Sequence, residues 1–333
     1  MTRVGIPRAL LYYQYYPMWH TFFRELGAEL VVSAPTTQLM LSKGSSRVVT
    51  DTCLPVKVFL GHVLSLVNEC DYLFIPAIRS VKKKAYNCSK FLGLPDMTQA
   101  VIPESPPILD VDVDINRGKR NLYFGIYKLG RHFTWNPLKI KRAFLAAWQA
   151  HIAYWQMMSQ QGITVPKAIS DLLGQEVEVA KSRNSELAKM KIAVIGHPYL
   201  VYDELINHRL LYRLEQAGCD VLTPEMVSKD ILEVLTTDLI GKSPWTYGDE
   251  VAGAGSYYLQ GLVNGVIGVM AFGCGPDSLM MDMVRRRAMR LNGVPFMNLT
   301  LEEHTAEAGI VTRVEAFLDM IQRGMKRQET LCV

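Results

Sequence analysis

Residues 3–33 read RVGIPRALLYYQYYPMWHTFFRELGAELVVS. Arg3–Ile6 and Glu29–Ser33 are short runs rich in strand-forming residues, and Met18–Leu26 between them is apolar at helical spacing. Strand, helix and strand in that order form a βαβ unit, whose two strands run parallel. The alternation continues outward. Val56–Val67 is an apolar helical stretch leading into a strand at Tyr72–Ile78, and Ile108–Val113 is a fourth strand. Residues 1–115 are therefore expected to form one doubly wound α/β domain.

The texture changes at about residue 116. Pro137–Gln161 carries Ile140, Phe144, Ala147, Trp148, Ile152 and Trp155 at helical spacing, and Ala168–Ala188 contains few turn signals. Residues 116–188 read as a helical connector. From Met190 the first pattern returns. Lys191–Ile195 is a buried strand ending in the turn Gly196-His197-Pro198, and Glu204–Gln216 is a helix. Strands follow after Gly218, at Gly265–Phe272 and at Val294–Leu301, with a closing helix at Val311–Gly324. Residues 189–333 form the second α/β domain. The expected fold is α/β, with two doubly wound, mostly parallel-sheet domains joined by a helical connector. In such sheets, functional loops lie beyond the carboxyl ends of the strands. No Walker A motif and no GxGxxG occurs, so nucleotide binding through loops of that kind is not indicated.

A chain of 333 residues exceeds what one hydrophobic core usually supports. Its formal charge of +4 is small for this length and argues neither for nucleic acid nor for a membrane surface, so neither is expected as a partner. Lys82-Lys83-Lys84 reads as a solvated loop. Neither a secretory signal nor a run of 18 apolar residues is present, so a cytoplasmic location is expected. Disulfides are uncommon in that compartment. The six cysteines must then be core thiols, metal ligands or reactive thiols, and without a CxxC pair neither a zinc ribbon nor a ferredoxin-type run is present.

Three cysteines sit at strand-to-helix loops. Cys53, in Asp51-Thr52-Cys53-Leu54-Pro55, precedes an apolar helix that Thr52 or Asp51 is placed to cap. A thiolate there gains from the helix dipole and free amides. Cys88 lies in the polar loop Ala85–Phe91, although free cysteines are mostly buried. Cys274 lies between Gly273 and Gly275, which permit close approach of a bulky group, and Pro276 and Asp277 then open a helix. Cys70, Cys219 and Cys332 read as core or tail thiols. Three soft thiolates with no histidine-rich pattern suit an iron–sulfur cluster better than zinc, which wants four ligands at a structural site.

These motifs carry a resemblance. GIPRALLYYQYYPMWHTFFRELG at 5–27, DTCLPVKVFLGHV at 51–63, CSKFLGLPDM at 88–97, GHPYLVYDE at 196–204, FGCGPDS at 272–278 and PFMNLTLEEHTAEAGIVTRVEAFLDM at 295–320 resemble an uncharacterised domain family. That family is found fused to, or beside, acyl-CoA dehydratase activases and is related to 2-hydroxyacyl-CoA dehydratase subunits. The resemblance implies a [4Fe-4S] cluster on Cys53, Cys88 and Cys274. It also implies an ATP-hydrolysing activase with its own iron–sulfur cluster as electron donor. The chain would then be a component of an ATP-dependent reductase or acyl-CoA dehydratase. The alternatives are a non-catalytic electron-transfer subunit, or half of a bridged double-cubane site shared with a second dehydratase-like subunit or a second copy. The chain carries no activase module of its own.

Other polar residues have plainer readings. Lys57 lies near enough to Cys53 to interact with an anionic cluster, or is a surface lysine. His62 is on the same helix. His197 faces a cleft or holds its turn. Glu302, Glu303, His304, Glu307 and Arg313 read as a group of mutual salt bridges, with proton transfer at a cleft as the alternative. Tyr12, Tyr13, Tyr15, Tyr16 and Trp19 read as core packing.

Overall fold

The computed structural model describes residues 1–174, 190–291 and 293–331. The chain divides into two units, Met1–Val179 with Ser243–Tyr247, and Ala180–Lys242 with Gly248–Val333.

The first unit runs β1 (Arg3–Ile6), α1 (Tyr12–Leu26), β2 (Glu29–Val32), α2 (Gln38–Ser45), α3 (Leu54–Leu66), β3 (Tyr72–Phe74) and β4 (Ala77–Ser80). It continues with α4 (Ser89–Leu92), α5 (Leu94–Val101), β5 (Ile108–Leu109), β6 (Asp112–Asp114), α6 (Lys119–Arg131), α7 (Pro137–Gln161) and α8 (Val165–Leu173). Its main sheet is parallel, in the order β2-β1-β3-β5, and β4 pairs in parallel with β6. The strand expected over Tyr72–Ile78 is two strands. Pro76 has no N–H to donate, so the ladder breaks there, while Ile75 and Ala77 still donate to Leu109 and Val111. α1 begins at Tyr12, earlier than expected, because Tyr13, Tyr16 and Trp19 bury one face of it. Gly27, at φ +92°, closes it in the left-handed conformation.

The stripe of α7 is rotated from expectation. Ile140, Ala143, Ala147, His151, Tyr154 and Met158 are buried, whereas Trp148 and Ile152 are exposed. The small Ala143 and Ala147 suit close packing on α1, where the Tyr154 hydroxyl donates to the Tyr13 carbonyl at 2.6 Å. α2 and α3 meet through Gly44 and Gly61. A methyl on the first would overlap the Lys57 carbonyl, and one on the second the Met40 carbonyl. This contact fixes α3 and hence its first residue.

The second unit runs β7 (Lys191–Ile195), α9 (Pro198–Val201), α10 (Leu210–Gln216), β8 (Asp220–Leu222), α11 (Lys229–Ile240), α12 (Ala252–Tyr258), β9 (Gly265–Ala271), α13 (Gly275–Leu291), β10 (Phe296–Leu301) and α14 (Glu307–Leu331). Its sheet is also parallel, in the order β10-β9-β7-β8. The helix expected over Glu204–Gln216 is shorter. Asp203 accepts from the Leu205 and Ile206 amides, and His208 and Arg209 take positive φ before α10 starts. The expected helix over Ala168–Ala188 is seen as α8; residues 175–188 of it lie outside the described residues. Both units are thus doubly wound α/β structures. No helix among the described residues is long and apolar enough to cross a membrane.

Candidate functional site

In the first unit, Cys53 and Cys88 come together from loops 35 residues apart in sequence. Each is the residue immediately before a helix, Cys53 before α3 and Cys88 before α4, with extended backbone (ψ 147° and 143°). Extended backbone at the N-cap turns the chain so that the first-turn amides point past that residue. The Cys53 carbonyl accepts from Val56 and Lys57, and the Cys88 carbonyl from Phe91 and Leu92. Cys53 therefore occupies the cap position expected for Thr52 or Asp51, without a side-chain capping bond.

Both thiols are half-buried. Burial pushes the Cys53 pKa up, and the charge of a Cys88 thiolate pushes it further, so the two sulfurs lie within electrostatic reach. The Val56 amide and Lys90 act the other way and favour the thiolate. The loop carrying Cys88 is tied down on two sides. Asn87 donates from its backbone to Arg79 and from its side chain to Ile78, while Tyr86 and Trp245 form a parallel bridge.

In the second unit, Cys274 follows β9 and precedes α13, with Gly273 at φ +77°. Its carbonyl accepts from the Ser278 amide at 3.0 Å and hydroxyl at 2.7 Å. Three residues on, Asp277 is buried in the first turn of α13 and bonds His197 Nε2 at 2.9 Å. His197 Nδ1 meets Glu250 Oε2 at 2.7 Å. Burial alone would lower the His197 pKa. The charge and hydrogen bond of Asp277, joined by those of Glu250, outweigh it and hold the pKa well above the ordinary histidine value. Behind this pair lies Glu225, 2 % exposed, pushed up to about 7 by burial and by the neighbouring Glu250 charge.

Sequence reasoning placed Cys274 and His197 at strand ends and missed the carboxylates. Glu250 and Asp277 are 53 and 80 residues from His197, so no local pattern links them. Other expectations resolve as structure. Lys57 is buried and donates to the Thr50 carbonyl at 2.9 Å, which corrects its reading as a surface lysine. His62 is buried between Ser33 and Thr36. Glu307 pairs with Arg213, and Arg313 donates to the Asn298 carbonyl, so this group is not a closed set of salt bridges. Among the described residues, no three His, Cys, Asp or Glu side chains are arranged to hold a metal ion.

Residues 3–227 match the model of the family described as a CoA enzyme activase uncharacterised domain. The chain belongs to that family. The match takes in all strands of the first unit and β7 and β8 of the second, so Cys53 and Cys88 lie inside it and Cys274 beyond it. Membership in this activase-associated family links the chain to acyl-CoA dehydratase systems. No curated protein matches the chain.

Proposed function

We propose that the chain is an iron–sulfur protein of the 2-hydroxyacyl-CoA dehydratase type. It holds a [4Fe-4S] cluster on Cys53, Cys88 and Cys274, accepts low-potential electrons from an ATP-hydrolysing activase, and reduces or dehydrates a substrate. The observation that carries this reading is the pairing of Cys53 and Cys88 at two helix starts in one half-buried patch with Lys90 nearby. That donor set fits an anionic cluster: soft ligands, amides that stabilise thiolate, and a cation. Bound there, the cluster supplies one-electron chemistry at low potential. The chain's own residues do the rest. Without a cluster Cys53 is held as a thiol by burial, so loading releases its proton. The tied Asn87 and the Gly44–Gly61 contact hold the two loops in place.

The test is anaerobic purification with iron and acid-labile sulfide analysis of wild type and of Cys53→Ala, Cys88→Ala and Cys274→Ala. Brown wild-type protein and pale, folded variants are expected. Colourless wild type after reconstitution would overturn the cluster. Unchanged iron in the Cys274→Ala variant alone would remove that residue from the ligand set.

A further inference from the structure

The groove between α1 and the edge strand β2 has a composition that the cluster reading does not use. Tyr12, Tyr16 and His20 follow one another at four-residue spacing, which puts them on one face of α1. Arg8, four residues before Tyr12, and Arg24, four after His20, stand at the two ends of the row. All five line a groove of about 520 Å³, a size typical of small-ligand sites. Tyr12 and Tyr16 are stacked with ring centres 4.5 Å apart, and His20 meets Tyr16 edge-on at 5.5 Å. From Tyr12 to Arg24 the row is about 18 Å long. The acidic residue of the lining is Glu29, which is exposed.

The Arg8 end is built rather than incidental. The Arg8 amide donates to Ser33 Oγ at 2.8 Å, and the Ser33 hydroxyl bonds His62 Nδ1 at 2.8 Å. His62 Nε2 bonds Thr36 Oγ1 at 2.9 Å on its other side. Leu10, at φ +51°, holds a left-handed conformation unusual for its type in the same loop. A buried histidine and a strained residue thus fix where Arg8 leaves the sheet.

We propose that this groove binds an elongated organic phosphate bearing a planar ring, of the nucleotide class. The guanidinium groups match phosphate oxygens in pairs, and the half-buried Tyr12 and His20 offer the ring an aromatic surface, Tyr16 being buried. Recognition runs through side chains, so no glycine-rich phosphate loop is required.

The full-length chain is titrated calorimetrically with ADP and, separately, with inorganic pyrophosphate. Saturable one-to-one ADP binding is expected, with pyrophosphate weaker. Arg8→Gln and Arg24→Gln should each weaken ADP binding about tenfold or more, the loss of one charge-assisted contact. Arg24 is exposed, so its variant keeps the fold, checked by circular dichroism. Absence of saturable ADP binding up to about 5 mM, or unchanged affinity in both variants, overturns the site. Pyrophosphate binding as tight as ADP overturns the nucleotide class.

Discussion

Glu225→Gln should change how the stability of the chain depends on pH. Glu225 is 2 % exposed, its Oε2 accepts the Tyr202 hydroxyl at 3.0 Å, and its Oε1 has no partner among the described residues. Burial first, and the Glu250 charge second, push its pKa from 4.5 to about 7. Between those values the folded chain keeps a proton that the unfolded chain has lost. Its contribution to stability therefore falls as pH rises from 4.5 to about 7 and is level above. A shift of about 2.5 pKa units corresponds to about 3 kcal/mol. Wild type alone conceals this slope. His62, held down to about 4 mainly by burial, contributes in the opposite sense as pH rises from 4 to 6.5, by a similar amount. Glutamine removes the Glu225 titration and leaves His62. The stability of the variant minus that of wild type should rise by about 3 kcal/mol between about pH 4.5 and about pH 8, by urea denaturation at both. A flat or falling difference would refute the reasoning.

Three further outcomes follow from local geometry. Alanine normally improves a helix over glycine by about 1 kcal/mol, yet Gly61→Ala should cost about 1–3 kcal/mol in urea denaturation because the methyl meets the Met40 carbonyl; a gain in stability would exclude the α2–α3 contact. Asp277→Asn should lower the His197 pKa, followed by NMR of the imidazole, and cost about 3 kcal/mol by leaving a buried partner uncompensated. The stabilisation from His197 is present below pH 6.5 and lost as pH rises through its higher folded value, so the variant should lose most at low pH. Cys88→Ser should shift the alkylation midpoint of Cys53 in cluster-free protein to lower pH, read by peptide mass spectrometry, because Cys88 raises the Cys53 pKa; an upward shift would separate the two thiols.

Much of the fold was legible because the βαβ pattern is local. β1, α7 and β7 fall where periodicity puts them, since each is bounded by turn residues or by a capping Asn136. Errors arose where one residue redirects the backbone. Pro76 splits an apolar run into two strands, and the Asp203 turn delays α10. The α7 stripe was misread because Phe144, Trp148 and Ile152 match a buried face by hydrophobicity, while close packing on α1 selects the smaller Ala143 and Ala147. The cysteine loops were visible as strand-to-helix junctions. That Cys53 and Cys88 meet, and that His197 joins Glu250 and Asp277, depends on strand order, which no short window encodes.

Strand order also explains why those residues meet. In both units the first strand pairs with the second on one side and the third on the other, with the last strand beyond: β2-β1-β3-β5 and β8-β7-β9-β10. The switch point therefore lies between the first and third strands of each sheet, where ligands collect in doubly wound folds. Three chain segments recur in each unit: the loop after the first strand, the start of the helix leading to the third strand, and the loop beyond the third strand. In the first unit these carry Arg8, Cys53 and Cys88; in the second, His197, Glu250, and Cys274 with Asp277. Cys88, after β4, and Cys274, directly after β9, thus both lie beyond the third strand, while Cys53 has an acidic counterpart. One backbone plan has been given two side-chain sets. The first unit uses it to pair thiols, and the second uses it to clamp a charged histidine beside the loop of Cys274. A buried histidine held by two carboxylates resists displacement of the first turn of α13, and so fixes where Cys274 begins.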